Sequence, residues 1–257
     1  MIIKRNCLFT PKQKNRRLHI HLPEGYFDTD ERYPVMYFFD GHNLFEDSEA
    51  TYGKSWGLET FLNGWDKPML LVGVECGHEG NERLSEYLPY PGRSGWFSEF
   101  EAAGEDTLRW MVEELKPAID AEFRTMPFRE CTGIGGSSMG GIMALYAAVK
   151  WNRWFSKAAC LSSAIGCNRP ALLRDIRTCP ISPDTRVYLS WGTREARGAK
   201  DPMKEDTSSY AYRDNRAAAN ALEKRGASPR LYCQLGGAHC EADWEKQVPL
   251  FMDFLWK

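Results

Sequence analysis

No stretch of this 257-residue chain is apolar over a length that would cross a bilayer, and its opening, MIIKRNCLFTPKQKNRR, lacks the continuous apolar run of a secretory leader. No block of like charge appears either. The 33 basic and 35 acidic residues are spread along the chain and leave a formal net charge of −2, which gives no electrostatic reason to bind nucleic acid or an anionic membrane. The eight cysteines form no CxxC pair and no zinc-like spacing, and several lie in apolar runs such as Ala158 to Ser163, so reduced thiols with packing roles are expected. Histidine is scarce, with five in the chain. His19 and His21, on one side of an alternating segment, have no third ligand beside them and read as surface or edge residues rather than metal ligands. The expectation from these absences is a cytoplasmic protein with no metal and no cofactor, for which a homo-oligomer stays open.

What is present points to an α/β architecture. With 43% hydrophobic residues the chain can bury a sizeable core, and its length suits one α/β domain spanning residues 1–257. Apolar runs rich in β-branched and aromatic residues predict eight strands near Ile2–Thr10, Arg16–Leu22, Val35–Phe39, Met69–Glu75, Cys131–Gly135, Lys157–Ser162, Arg186–Ser190 and Arg230–Gln234. The first two suit an antiparallel hairpin at a sheet edge. From the third onward the strands alternate with helical patterns at Gly57–Asn63, Glu105–Ala121, Gly140–Lys150, Ser208–Arg225 and Ala242–Leu255, which implies a mostly parallel sheet with helices on both faces. Three long polar connections, Gly77–Gly104, Ala164–Asp184 and Gly192–Thr207, are of a size that usually serves a site.

The chemistry concentrates in RECTGIGGSSMGGIMALYAAV, Arg129 to Val149. A phosphate loop is excluded by spacing, because no lysine follows the second glycine and Ser138 stands where a dinucleotide fingerprint would place its last glycine. The pattern GxSxG fits in one register, Gly136-Ser137-Ser138-Met139-Gly140, between an apolar strand and a helical face. A serine on such a turn projects its hydroxyl from the carboxyl edge of the sheet. The hydroxyl is a weak nucleophile near neutral pH and needs a histidine base oriented by a carboxylate. His239 follows the last predicted strand, in QLGGAHCEADW, where that base belongs. For the acid, Glu195 is nearest the end of the seventh strand in YLSWGTREA; Asp201 and Asp206 lie later in the same loop and Asp184 precedes the strand. An oxyanion needs amide donors, for which the sequence offers Met139 and, in DGHN after the third strand, His42 by its backbone. Gly41 would allow the bend there, and Asn43 is a further polar candidate for substrate.

The pieces YPVMYFFDGHNLF, SWGLE, NERLSEYLPY, GGSSMGGIMALYAA, YLSWGTRE and GGAHCEADW, in that order from about Tyr33 to Trp244, resemble the Putative esterase family of α/β-hydrolases, a group that contains siderophore esterases, feruloyl and acetyl-xylan esterases and S-formylglutathione hydrolases. The resemblance implies a single-domain α/β-hydrolase fold and a serine carboxylic-ester hydrolase acting on a small acetyl, feruloyl, aryl or siderophore-type ester. It implies Ser138 as nucleophile, His239 as base and Glu195 as acid, with Trp56 and Trp244 near the site. Trp96 and Phe97 either flank the acyl or aryl group or pack their loop down, and Arg83, Glu86 and Tyr87 are expected to hold the first long loop through an internal ion pair. An acyltransferase using the same triad, or a catalytically silent ligand-binding scaffold, are the rival readings.

Overall fold

A computed structural model describes residues 1–92, 95–195 and 201–257; parts of two expected connections, residues 93–94 and 196–200, lie outside that description. All eight expected strands form: β1 (Ile2–Phe9), β2 (Lys14–His21), β3 (Val35–Phe39), β4 (Leu70–Val74), β5 (Thr132–Ser137), β6 (Lys157–Leu161), β7 (Arg186–Gly192) and β8 (Ser228–Gln234). They make one sheet in the order β1-β2-β4-β3-β5-β6-β7-β8. β1 and β2 are an antiparallel hairpin, β2 is antiparallel to β4, and every pair from β4 to β8 is parallel.

Both faces of the sheet are covered, which explains why the central strands read as continuous apolar runs instead of alternating ones. Along β3 the side chains divide by parity: Val35, Tyr37 and Phe39 join one buried cluster, Met36 and Phe38 the other. The helices, in chain order, are α1 (Leu58–Asn63), α2 (Glu82–Glu86), α3 (Gly104–Trp110), α4 (Lys116–Glu122), α5 (Met139–Lys150), α6 (Arg169–Thr178), α7 (Tyr210–Glu223), α8 (Glu241–Glu245) and α9 (Val248–Trp256). α3 to α7 pack on the first cluster, α1 and α9 on the second. A π-helical turn, Met111–Leu115, joins α3 to α4, so the expected helix over 105–121 is continuous but locally widened and underwound.

Three sequence expectations need correction. The connection Ala164–Asp184 contains α6, whose start is set by the Asn168 side chain accepting from the Ala171 amide and by Pro170 in the first turn. The connection Gly77–Gly104 likewise contains the short α2. The expected helix Ala242–Leu255 is two helices, because Pro249 in the first turn of α9 has no amide to continue the ladder from α8.

His19 and His21 are also corrected: neither is a surface residue, each being 2% exposed. β1 forms the sheet edge and β2 lies inside it, so its side chains are covered. His19 meets Glu75 and Glu49, while His21 stacks on Phe45.

Candidate active site

The turn that carries Ser138 is built by close approach of backbone. Ser138 sits between β5 and α5 with φ 55° and ψ −118°, a conformation that is strained for a residue with a Cβ. The strain is held by three backbone bonds: its amide donates to Leu161 O at 2.9 Å, and its carbonyl accepts from Ile142 and Ala164. The glycines of the motif are required by space. A Cβ on Gly136 would stand 2.7 Å from the backbone of Gly140, and one on Gly140 would stand 2.9 Å from the Phe39 Cβ. Ser137 is buried beside the turn, while Ser138 remains partly accessible.

Ser138 and His239 line one cleft of about 380 Å³, together with His42, Asn43, Arg83 and Trp244. His239 follows β8 and is half exposed; its Nδ1 faces Glu195 Oε2 at 3.0 Å and its ring meets the edge of Trp244 at 5.1 Å. With Nδ1–H donating to that carboxylate, Nε2 is left to accept a proton. Among the described residues no hydrogen bond yet joins Ser138 to His239, an arrangement common before substrate tightens such contacts.

Glu195 is fixed from three sides. Its Oε1 accepts from the Ser162 hydroxyl at 2.6 Å and from the Gly192 amide at 2.7 Å, while Oε2 faces His239. The Ser162 hydroxyl in turn accepts from Trp244 Nε1 at 2.9 Å. Ser162 escaped the sequence reading because nothing in its own segment marks it; its only signal was a polar residue at the carboxyl end of an apolar strand. The competing acids lie elsewhere. Asp201 caps the Met203 amide, Asp206 caps Ser208, and Asp184 pairs with Arg129.

The opposite wall comes from the turn after β3. Asp40 has a left-handed backbone and is gripped by Arg83 through two 2.8 Å bonds, and its amide donates to the Tyr87 hydroxyl. Burial opposes the Arg83 cation, but the Asp40 carboxylate outweighs it and holds the guanidinium above its ordinary pKa. Glu86 pairs instead with Arg16 and accepts from the Gly77 amide, so the expected internal ion pair is two pairs. Gly41 is packed, not offered to substrate: a Cβ there would stand 2.5 Å from the Gly73 backbone. The Asn43 amide bonds back to Asp40 O and the Leu44 amide to Gly41 O, leaving the His42 amide between them. Beside Ser138, the Met139 amide opens α5, where no preceding turn supplies an acceptor.

Two of the aromatic substrate candidates stand outside the cleft walls. Trp56 does not line the cleft; it is buried behind Trp244 and against Phe38 and Phe251. Trp96 is 54% exposed and packs with Phe97 and Phe100, outside the cleft walls. Glu241, two residues beyond His239, was not anticipated in the wall; burial raises its carboxyl pKa. Glu75 and His78 stand near His42. Burial would raise the Glu75 carboxyl, but hydrogen bonds with His19 and His78 outweigh it and bring it down to about 2.

A mostly parallel sheet covered on both faces, with a serine on the strained turn from β5 to α5, defines an α/β-hydrolase. The family model described as Putative esterase matches residues 11–252, and the chain belongs to that family of ester hydrolases. It is 24% identical over 251 residues to the uncharacterized protein YbbA of Bacillus subtilis strain 168, covering 95% of this chain and 94% of YbbA. Among solved structures it is similar to an IroE-like serine hydrolase from Shewanella oneidensis, with a TM-score of 0.73, 19% identity and coverage of 99% of this chain and 79% of the other. It is also similar to the enterobactin esterase FES from Shigella flexneri, with a TM-score of 0.71 and 18% identity; there it matches across its whole length but spans 58% of FES. At these identities the structural likeness establishes the fold. No helix among the described residues is long and apolar enough to cross a membrane.

Proposed function

We propose that this esterase is a serine carboxylesterase working through Ser138, His239 and Glu195 and an acyl-enzyme intermediate. The observation that carries the reading is that Ser138, on its strained turn, and His239, backed by Glu195 at 3.0 Å, open into one cleft. His239 Nε2 takes the Ser138 proton as Oγ attacks the ester carbonyl, and the amides of Met139 and His42 stabilise the negative oxygen that forms. The imidazolium then gives its proton to the departing alcohol. Water, deprotonated by the same ring, attacks the acyl-serine and frees the acid. Glu195 sets the tautomer and stabilises the imidazolium without itself taking the proton.

The substrate class is a small ester: acetyl, feruloyl or aryl, or siderophore-type. A cleft of about 380 Å³ whose walls carry Asp40, Arg83, Glu241 and three histidines beside Trp244 suits a compact, polar ester better than a lipid. The likeness to an IroE-like hydrolase and to an enterobactin esterase makes siderophore-type esters the first to assay. Ser138→Ala should abolish turnover of p-nitrophenyl acetate while leaving the circular dichroism spectrum unchanged; full retained turnover would remove Ser138 from the mechanism.

A further inference from the structure

Three of the five histidines in the chain gather on one carboxylate that the hydrolytic reading does not use. Glu75 follows β4, and His78 lies three residues on; His42 comes from the turn after β3 and His19 from β2. Glu75 Oε2 is 3.1 Å from His78 Nε2, and Glu75 Oε1 is 2.7 Å from His19 Nε2. One potential ligand atom from each of His42, Glu75 and His78 lies within 4.8 Å of the others. Ligand atoms around a tetrahedral zinc ion stand about 3.3 Å apart. The Glu75–His78 pair already meets that spacing, and the His78 side chain is 58% exposed and free to rotate toward His42.

A hydrogen-bonded cluster accounts for Glu75 but not for His42. The Nε2 of His42 is engaged with the Thr51 hydroxyl at 2.9 Å, while its Nδ1 is buried without a partner. If Nε2 carries the proton and donates to Thr51, Nδ1 keeps an unused lone pair, and a hydrogen bond from the far nitrogen is what orients a ligating imidazole. His19 does the same for Glu75 by occupying the oxygen that faces away from His78, and its own Nδ1 is 3.5 Å from Glu49. Each of the three groups is thus held from behind or free to move into place.

We propose that His42, Glu75 and His78 form a binding site for a divalent transition-metal ion of the zinc type, with Thr51 and His19 as orienting partners. Two imidazoles and one carboxylate suit zinc or cobalt, whereas magnesium and calcium prefer oxygen alone. The site lies in the cleft wall, since His42 and His78 both line the cleft. A metal there cross-links the turn after β3 to the segment after β4 and stiffens the backbone that presents the His42 amide. The inference goes beyond the esterase reading and stands or falls without it.

The full chain, stripped with a chelator, is titrated with Zn²⁺ by calorimetry and with Co²⁺ by visible absorption. One equivalent should bind, with a cobalt spectrum free of thiolate charge-transfer bands. His78→Ala, at a half-exposed position, and Glu75→Gln, which keeps the side chain's shape, should each weaken binding more than about 100-fold; His19→Gln should weaken it about 10- to 100-fold. Ser138→Ala and His239→Ala should bind as the native chain does. Failure to saturate at one equivalent, binding that survives His78→Ala, loss on His239→Ala, or a thiolate band from the cysteines would each overturn the assignment.

Discussion

The Ser162 hydroxyl donates to Glu195 Oε1 across 2.6 Å from a backbone held at a φ of 46°. Ser162 Oγ itself accepts from Trp244 Nε1, so one side chain ties the end of β6 and α8 to the carboxylate that faces His239. A residue that breaks the usual backbone preference in order to support an acid is a positioning residue. Ser162→Ala should lower kcat about tenfold, within the range of a hydrogen bond to a charged acceptor, because the Gly192 amide still holds Oε1. KM and the thermal midpoint should change little. A fall in stability with kcat intact would make the role structural.

Glu195 is separated from its competitors by geometry alone. Glu195→Gln should reduce kcat about 10³-fold or more, since an amide disturbs both the tautomer and the stabilisation of the imidazolium. Asp201→Asn and Asp206→Asn, whose carboxylates cap their own loop, should stay within about twofold of the native rate. Steady-state rates on p-nitrophenyl acetate decide between them.

The Asp40–Arg83 pair supports the wall that carries the His42 amide. Removing one member of a buried pair costs about 3–5 kcal/mol, and Arg83 is about a third exposed, so water recovers part of the loss. Arg83→Met should therefore destabilise the chain by about 2 kcal/mol in urea unfolding. It should also raise KM, because Arg83 lines the cleft. Unchanged stability would mean that Asp40 finds another partner.

His21 gives a pH signature. Burial lowers its pKa from 6.5 to about 4, so the folded chain keeps the ring neutral where the unfolded chain would protonate it. Between those values the unfolded state binds more protons. The contribution is fully present above pH 6.5 and is lost as pH falls through about 4. At about 1.4 kcal/mol for each pH unit the loss is about 3 kcal/mol. In His21→Leu, unfolding free energies measured from pH 7 to pH 4 should fall less steeply than in the native chain. Parallel curves would show that His21 does not titrate on unfolding.

The sheet was readable in the sequence because strands covered on both faces appear as apolar runs, and β3 to β7 are such strands. α6 was not, because RPALLRDIRT carries three arginines, an aspartate and a proline and reads as a polar connection. Its cap, Asn168, became informative only with the helix in view. In the site, Ser138 was legible from spacing and His239 from position after a strand. Both signals are local. Ser162, Arg83 facing Asp40, and the His42–Glu75–His78 group are brought together by strand order, and no local spacing encodes that. Trp56, which the resemblance puts near the site, is buried behind Trp244, and that packing too is set by the fold rather than by local spacing.

The most direct test of the account is the site of reaction with a fluorophosphonate probe, mapped by mass spectrometry of the digested native chain. A single adduct on the peptide bearing Ser138, lost in Ser138→Ala and formed much more slowly in His239→Ala, is the predicted result. Labelling of Ser138→Ala at the native rate, or an adduct on another residue accompanied by full loss of turnover, would contradict it.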